Sequence, residues 1–419
     1  MVMGVFMQIN DTYNNLTKKL DGKMCASILE EFIKKDVENG SAMFGNCPRV
    51  ATIYNPKDDS SKKYVKMKIN ACARVGINTL EIPLSENATT SDIVSLVEKL
   101  NANEEISGIL IQHPLQYGID EKKCVQALSP QKDIDGLNSD AFGYNFFRLN
   151  KENCDFANWL KANEIDVEGK NVGILCEDVN LCKTLTGVLL SLNATVSILQ
   201  NELDFAVETL FDVKNNQIFH NKTKFLCNFY GICEKDVKNY TSITQSIYKS
   251  ATPKGIITLL KHNGIDLKGK SIVIVGRSDI LGRPLAELCL ENGADVTICH
   301  SKTQNLQACV ERADIVVGAV GKKHLIKSSW LKNGSVLVDA GCNVERVWSG
   351  ELCKYVDKIY GDIEKPNEED LKRLGAYTPI IGGVGPMTIA SLLENVSDAF
   401  LKNKNNENEN EKILTLKKN

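Results

Sequence analysis

The stretch SIVIVGRSDILGRP at 271–284, followed by DVTICHSKT at 295–303, restricts the fold of this chain more than any other part of it. An apolar Ile/Val run ends at Gly276 and gives way at Leu281 to apolar residues at helical spacing, the strand–turn–helix start of a βαβ unit. Backbone amides at such a turn can hold a pyrophosphate. Gly276 and Gly282 are separated by five residues and do not form the familiar G-x-G-x-x-G pattern, so the end of the second strand matters as much as the turn.

In NAD-binding units that second strand usually closes on Asp or Glu, whose carboxylate accepts from the ribose 2′-hydroxyl. Here it closes on Cys299-His300-Ser301-Lys302-Thr303. Arg277 at the turn, with Ser301 and Lys302, repels no phosphate and offers donors that match phosphate oxygens. The pattern therefore predicts NADP as the cofactor.

A chain of 419 residues exceeds one compact core and suits two or three domains. With 43% hydrophobic and 25% charged residues it can bury a large core, and a net charge of −3 gives no basic field for nucleic acid. No run reaches the length of a membrane span, and the first fifteen residues resemble neither a signal peptide nor an Arg-rich transit peptide. A cytoplasmic location is expected, with a mitochondrial one left open. The 14 cysteines are scattered without a C-x-x-C pair, as expected of small buried apolar residues in a reducing compartment, and no metal is expected. Cys176 with Cys182, or Cys227 with Cys233, fits no common zinc spacing.

Helix and strand alternate from about residue 20. LDGKMCASILEEFIKK reads as a helix, PRVATIYN as a strand, SSKKYVKMKINACARVG as a helix closed by Gly76, and TLEIPL as a strand. TTSDIVSLVEKLNAN opens with capping side chains, and SGILIQ is a buried strand ending at Gln112. Such apolar strands belong in a parallel sheet covered on both faces, with ligands bound past their C-terminal ends. Gln112 and the KDIDG run at 132–136 are placed there. A second α/β unit starts near Thr252 and runs through SIVIVG, DVTICH, ADIVVGAVG and SVLVDAG. After TPIIGGVGPMT comes a strongly apolar helix, expected to pack back on the first domain, and then a polar, low-complexity tail expected to be disordered.

The chain also repeats itself. Shifted by 100 positions without a gap, residues 160–198 match 260–298 at fourteen of 39 positions, mostly apolar or turn residues, where average usage predicts about two or three. The nucleotide chemistry is missing from the copy: Cys176 stands for Gly276, Glu177 for Arg277, Asp178 for Ser278 and Cys182 for Gly282. A Cβ at the turn and two carboxylates disfavour a pyrophosphate, so the copy reads as a decayed duplicate without a cofactor, and Ile174, Leu185, Leu190, Val196 and Ile198 are expected to be buried. Two separately evolved units of similar shape are the alternative.

Taken together, the phosphate turn, the KDIDG run and GGVGPMT resemble the bifunctional methylenetetrahydrofolate dehydrogenase/methenyltetrahydrofolate cyclohydrolase family over about 20–148 and 250–403. The family's Ser-x-x-Tyr-Val-x-x-x-Lys stands here as Ser61, Tyr64, Val65 and Lys68, slightly compressed after Val65. Its Val-Gln-Leu-Pro-Leu is Ile111-Gln112-His113-Pro114-Leu115, its Lys-Asp-Val-Asp-Gly is Lys132-Asp133-Ile134-Asp135-Gly136, and its Pro-Gly-Gly-Val-Gly-Pro-Met-Thr is Ile381 to Thr388. Departures are His113, Ile381, Ala141 for an Asn, and Ser250-Ala251-Thr252-Pro253 for Pro-Cys-Thr-Pro.

The resemblance implies an NADP-dependent enzyme that oxidises 5,10-methylenetetrahydrofolate to the 5,10-methenyl cation and hydrolyses this to 10-formyltetrahydrofolate. The implied catalytic set is Lys68, Tyr64, Gln112 and Asp135. Tyr64 and Lys68, four residues apart, share a helix face. Lys68, partly desolvated beside Gln112, is the expected base, Tyr64 the stacking partner of the aminobenzoyl ring, and Asp135 the acceptor for the pterin amino and ring nitrogens. Gly382, Gly383, Val384 and Gly385 complete the folate site, while Thr252, Gly276, Arg277, Ser278, Gly282, Ser301 and Cys342 form the cofactor set. His113 adds an ionisable group next to Gln112.

The expected fold class is α/β: an N-terminal α/β substrate domain over 1–148, completed by a helix over 385–403, and a Rossmann-type doubly wound NADP domain over 250–384. Between them, 149–249 is an inserted degenerate Rossmann-like repeat, and 404–419 is the tail. The family further implies a homodimer through the nucleotide domain. The rival readings are another two-domain NADP oxidoreductase of shikimate-dehydrogenase type and a non-catalytic dinucleotide-binding scaffold. The joint presence of Tyr64, Lys68, Gln112 and Asp135 disfavours both.

Overall fold

A computed structural model describes residues 17–137, 160–161, 165–168, 170–175, 189, 194–199, 209–212, 217–220, 223–226, 248–349 and 354–416. The first strands are β1 (Lys18–Lys19), β2 (Arg49–Tyr54), β3 (Asn78–Pro83) and β4 (Gly108–Ile111). The insert holds β5 (Asn171–Leu175), β6 (Thr195–Leu199), β7 (Thr209–Asp212), β8 (Gln217–His220) and β9 (Thr223–Leu226). Then come β10 (Ser271–Val275), β11 (Asp295–Cys299), β12 (Ile315–Gly318), β13 (Val336–Asp339), β14 (Asn343–Ser349), β15 (Lys354–Tyr360) and β16 (Ala376–Tyr377). The helices used below are α1 (Gly22–Phe44), α2 (Asp59–Arg74), α3 (Thr90–Ala102), α4 (Glu121–Gln126), α5 (Ala251–His262), α6 (Gly282–Glu291), α7 (Leu306–Arg312), α8 (Glu368–Arg373) and α9 (Val384–Leu416).

Two compact units result. One comprises Lys23–Tyr144, Thr244–Gly255 and Pro386–Asn419, and its sheet is three parallel strands in the order β3-β2-β4. Local chemistry sets the boundaries of its helices. Asp58 accepts the Ser61 N–H to start α2, and Gly76, at φ +80°, follows its end. Thr89 and Asp92 form a reciprocal capping box at α3. One face of the unit buries Val50, Leu110 and Ile134 against Ile33 and Val37 of α1 and Leu392, Leu393 and Val396 of α9. The opposite side of the sheet packs Ile53, Ile109 and Ile111 against Ile93 and Val97 of α3. Sheet strands buried on both faces explain the near-continuous apolar runs in the sequence.

The other unit comprises Met1–Gly22, Asn145–Ile243 and Ile256–Gly385. Its 11-stranded sheet runs β1-β16-β13-β12-β10-β11-β6-β5-β7-β8-β9. The strands from β1 to β11 are mutually parallel, and β6 then joins β11 antiparallel. The sheet of the nucleotide half therefore does not end at β11; it continues through the insert. Ile174 and Val196 have no exposed surface, as the repeat predicts. Leu185, Leu190, Ala141, Cys176, Glu177, Asp178, Cys182, Cys227 and Cys233 lie outside the described residues, as does the side chain of Ile198.

Two features depart from the sequence expectations. The antiparallel hairpin β14/β15 was not anticipated, because only residues 335–341 and 378–388 around it carry conspicuous motifs. At the C-terminus, α9 continues through the polar run to Leu416, where disorder was expected. The run has no Pro or Gly, and Glu, Lys and Leu extend a helix already nucleated by its packed first turns at little cost.

Candidate active site

In the first unit, Lys68 sits in the last half of α2 and is half-buried. Its ammonium donates to Gln112 Oε1 at 3.0 Å, and Gln112 Nε2 donates in turn to the His113 carbonyl at 2.9 Å. Ser61, two turns earlier on α2, donates its hydroxyl to the same carbonyl at 3.3 Å. Gln112 is placed by the end of β4, since its N–H continues the ladder to Ile53. Burial pulls the Lys68 pKa below the ordinary lysine value, and the negative charge of Asp135 works against that fall. Lys68, Gln112 and Asp135 thus form one electrostatic group. Tyr64, a turn earlier than Lys68 on α2, keeps 39% of its surface exposed.

The KDIDG segment is held by close packing. Gly136 has φ +66°, and a Cβ there would stand 2.7 Å from the Ser250 nitrogen and 2.9 Å from the Tyr248 carbonyl oxygen. Only glycine lets chain 248–250 cross at this point, with Ala251 N–H on the Asp135 carbonyl at 3.4 Å. Thr252 opens α5 in this same unit, its hydroxyl 3.2 Å from that of Thr388, and it does not share a unit with the rest of the expected cofactor set. His113 is turned toward α4, where Nδ1 lies 2.6 Å from Glu121 Oε2. That contact, with the Leu115 N–H, holds the Glu121 carboxyl below its usual range. Glu121 has no motif around it, so only the fold reveals this pairing.

In the second unit, the turn after β10 is as tight as the two glycines suggested. Gly276 has φ +135°, and a Cβ on it would lie 2.1 Å from the Ala319 carbonyl oxygen. A Cβ on Gly282 would lie 2.2 Å from the Gly276 carbonyl oxygen. The G-x5-G spacing thus closes the turn on itself and sets the first residue of α6 beneath it. Ser278 accepts the Gly282 N–H through its hydroxyl at 3.4 Å. Arg277 is half-buried and its pKa is lowered by burial. Arg283, absent from the sequence-based set although it stands inside the motif, lies close enough that Arg277 depresses its pKa as well, after burial and against the opposing pull of Asp279.

Ser301 and Lys302 are exposed at the end of β11, and the Gly276 N–H bonds to the Cys299 carbonyl at 2.9 Å, so the strand end adjoins the turn. A turn that only glycine fits, a helix start and two neighbouring guanidinium groups suit the pyrophosphate of a dinucleotide. Cys342 is exposed after β13, beside a buried acidic pair. There Asp362 accepts from the N–H groups of Val320, Gly321 and Lys322, and Asp339 from those of Gly341, Asp362 and Ile363. Burial and the Asp362 charge outweigh those bonds and push Asp339 up to about 6. Gly382, at φ +88°, and Gly383 form the turn into α9, and a Cβ on Gly383 would stand 2.3 Å from the Pro379 carbonyl oxygen. Val384 is buried and Gly385 exposed at the first positions of α9.

Two family models match the chain. The catalytic domain of tetrahydrofolate dehydrogenase/cyclohydrolase matches residues 20–135, and its NAD(P)-binding domain matches 250–404. The bifunctional protein FolD of Alcanivorax borkumensis is 35% identical over 375 residues, 89% of this chain and 94% of that protein. The chain belongs to the tetrahydrofolate dehydrogenase/cyclohydrolase family. FolD 2 of Acinetobacter baylyi, another bifunctional protein, is 35% identical over 383 residues, covering 91% of this chain and 98% of its own. The crystal structure of the Campylobacter jejuni bifunctional FolD superposes with a TM-score of 0.63 at 28% identity, over 93% of this chain and 99% of that one. Within the family frame, residues 136–249 fall between the two matched domains.

Proposed function

We propose that the chain oxidises 5,10-methylenetetrahydrofolate with NADP to the 5,10-methenyl cation and then hydrolyses that cation to 10-formyltetrahydrofolate. The observation that carries this reading is the Lys68–Gln112 hydrogen bond at 3.0 Å, with Asp135 acting on the same buried amine, in the segment that matches the family's catalytic domain. NADP, when bound, supplies the hydride acceptor of the first step. Gly276, Gly282 and Ser278 would hold its pyrophosphate at the start of α6, and Arg277, Ser301 and Lys302 would take the 2′-phosphate. Thr252 and Cys342 complete the proposed cofactor set. Tyr64 would stack on the aminobenzoyl ring and Asp135 would accept from the pterin, with residues 382–385 passing their backbone close to the folate.

Hydrolysis needs water to add to the methenyl carbon, lose a proton and break one carbon–nitrogen bond. Lys68, with its amine held by Gln112 and its pKa lowered by burial, accepts that proton. Asp135 has the opposite electrostatic effect and keeps the amine basic. Pairing of two chains, which the family resemblance implies, would have to use a face other than the β11 edge, since β6 occupies it. The proposal includes a cytoplasmic location, supported by the free thiols buried at Cys25, Cys72, Cys124, Cys289, Cys299 and Cys309.

The test follows methenyl-folate absorbance during its formation with NADP and with NAD, and separately during its decay. Lys68→Met is expected to abolish the decay and leave NADP binding intact. Decay at the parent rate would remove Lys68 from the mechanism.

A further inference from the structure

The insert meets the nucleotide half in an unusual register. On the β6/β11 ladder Val196 faces Ile298, Ser197 faces Thr297 and Ile198 faces Val296. Ser197 and Thr297 are equivalent positions under the 100-residue repeat, and the pairs on either side exchange with each other. This is the pattern of an isologous two-fold contact, in which residue i meets j and j meets i. The duplicate therefore docks on its parent as a second copy would.

The dock continues past the strand into the turn His300–Thr303. His300 Nε2 lies 2.7 Å from the Ala194 carbonyl oxygen, and its Nδ1 accepts the Lys302 N–H at 3.2 Å. Both contacts are made together only by the neutral ring with its proton on Nε2. Thr195, fully buried, places its hydroxyl 2.7 Å from that of Thr303, which in turn accepts the His300 N–H at 2.8 Å. Glu168 lies 3.6 Å from the Lys302 ammonium. Three residues of the insert thus contact the four-residue turn that carries Ser301 and Lys302.

We propose that the insert is an in-chain mate of the nucleotide half that braces the 300–303 turn, with Thr195 and the Ala194 carbonyl as positioning groups for the phosphate-bearing ribose of NADP. The proposal rests on the reading that Ser301 and Lys302 contact that end of the cofactor. An exposed turn binds a phosphate well only when its donors are held before the ligand arrives, because ordering them on binding subtracts from affinity. The brace supplies that order from residues that never touch the ligand.

The test uses the full chain with Thr195→Val, which removes the hydroxyl at nearly constant shape, and Thr195→Ser, which keeps it. In Thr195→Val the KM for NADP is expected to rise about threefold to tenfold with little change in kcat, the span of one net hydrogen bond. Cyclohydrolase activity, which needs no cofactor, serves as the internal control and is expected to persist. Thr195→Ser is expected to restore the parent KM. An unchanged KM for NADP overturns the brace, and so does a parallel loss of hydrolysis, which would mark Thr195 as purely structural. If the parent enzyme reduces NAD as readily as NADP, the assignment of the 2′-phosphate fails by itself, while a raised KM for either cofactor in Thr195→Val still upholds the brace.

Discussion

The pair β10/β11 and its copy β5/β6 are built alike down to single hydrogen bonds. Ser271 pairs with Asp295 and Asn171 with Thr195, and both parallel ladders continue for five residues in the same register. The approach to each is also the same: Ile265 N–H bonds to Leu260 and Ile165 N–H to Leu160, while Lys270 bonds back to Leu267 and Lys170 to Val167. At the far end, Ala294 bonds to Cys289 and Ala194 to Leu189. Of the differences in sequence, the one that bears on chemistry is the turn after the first strand, where residues 176–182 lack both glycines and both donors. Apolar and turn positions specify the frame, and a handful of residues at a strand end specify the chemistry. The two strand pairs therefore share a frame although only one of them carries the glycines and donors of a phosphate turn.

The strongest way to break this contrast is Gly276→Ala. With φ at +135° and the Ala319 oxygen 2.1 Å from the new Cβ, the turn must open. NADP binding is expected to fall by more than a hundredfold in a fluorescence titration, with methenyl hydrolysis retained as the control. Retained affinity would mean that the turn is not the pyrophosphate site.

The frame itself is tested by twin truncations. Ile174 and Ile274 occupy equivalent, fully buried positions, so Ile174→Ala and Ile274→Ala are each expected to cost about 2–5 kcal/mol in denaturant melts. A copy that had decayed in packing as well as in chemistry would lose far less at Ile174 than the parent does at Ile274.

Arg277→Ala sharpens the difference at the turn, where the copy carries Glu177. NADP is expected to weaken by about 1.5–3 kcal/mol more than NAD, the span of a hydrogen bond to a charged group. Equal losses would move Arg277 to the pyrophosphate.

The smallest effect expected is one of pH at the seam between the copies. Burial lowers the His300 pKa, the Ala194 carbonyl opposes that fall, and Arg277 and Lys302 add to it. The folded state thus binds fewer protons here than the unfolded chain, so this contribution to stability is present above the unfolded value and is lost as pH falls through the region below about 6.5. A thermal midpoint that drops between pH 7 and pH 5.5 in the parent, and drops less in His300→Gln, is the expected result. Identical profiles would show that the seam does not depend on the ring.

Much was legible in the sequence because it is local. The end of α2 follows from Gly76 and the start of α3 from Thr89 and Asp92, and the strand ends from apolar runs that stop at Gln112 and Gly276. Lys68 and Tyr64 on one helix face, and the tight glycines at 276 and 282, were legible for the same reason. The repeat, too, is a property of the string of residues. The contacts between remote segments were not legible. No spacing rule links His113 to Glu121, places Arg283 near Arg277, or buries Asp339 beside Asp362. Nor does any local pattern choose an antiparallel seam between β6 and β11, because a sheet edge offers the same backbone donors and acceptors to any strand that reaches it. That choice was made by the three-dimensional packing of the chain, and it sets Thr195 against Thr303 across 108 residues of sequence.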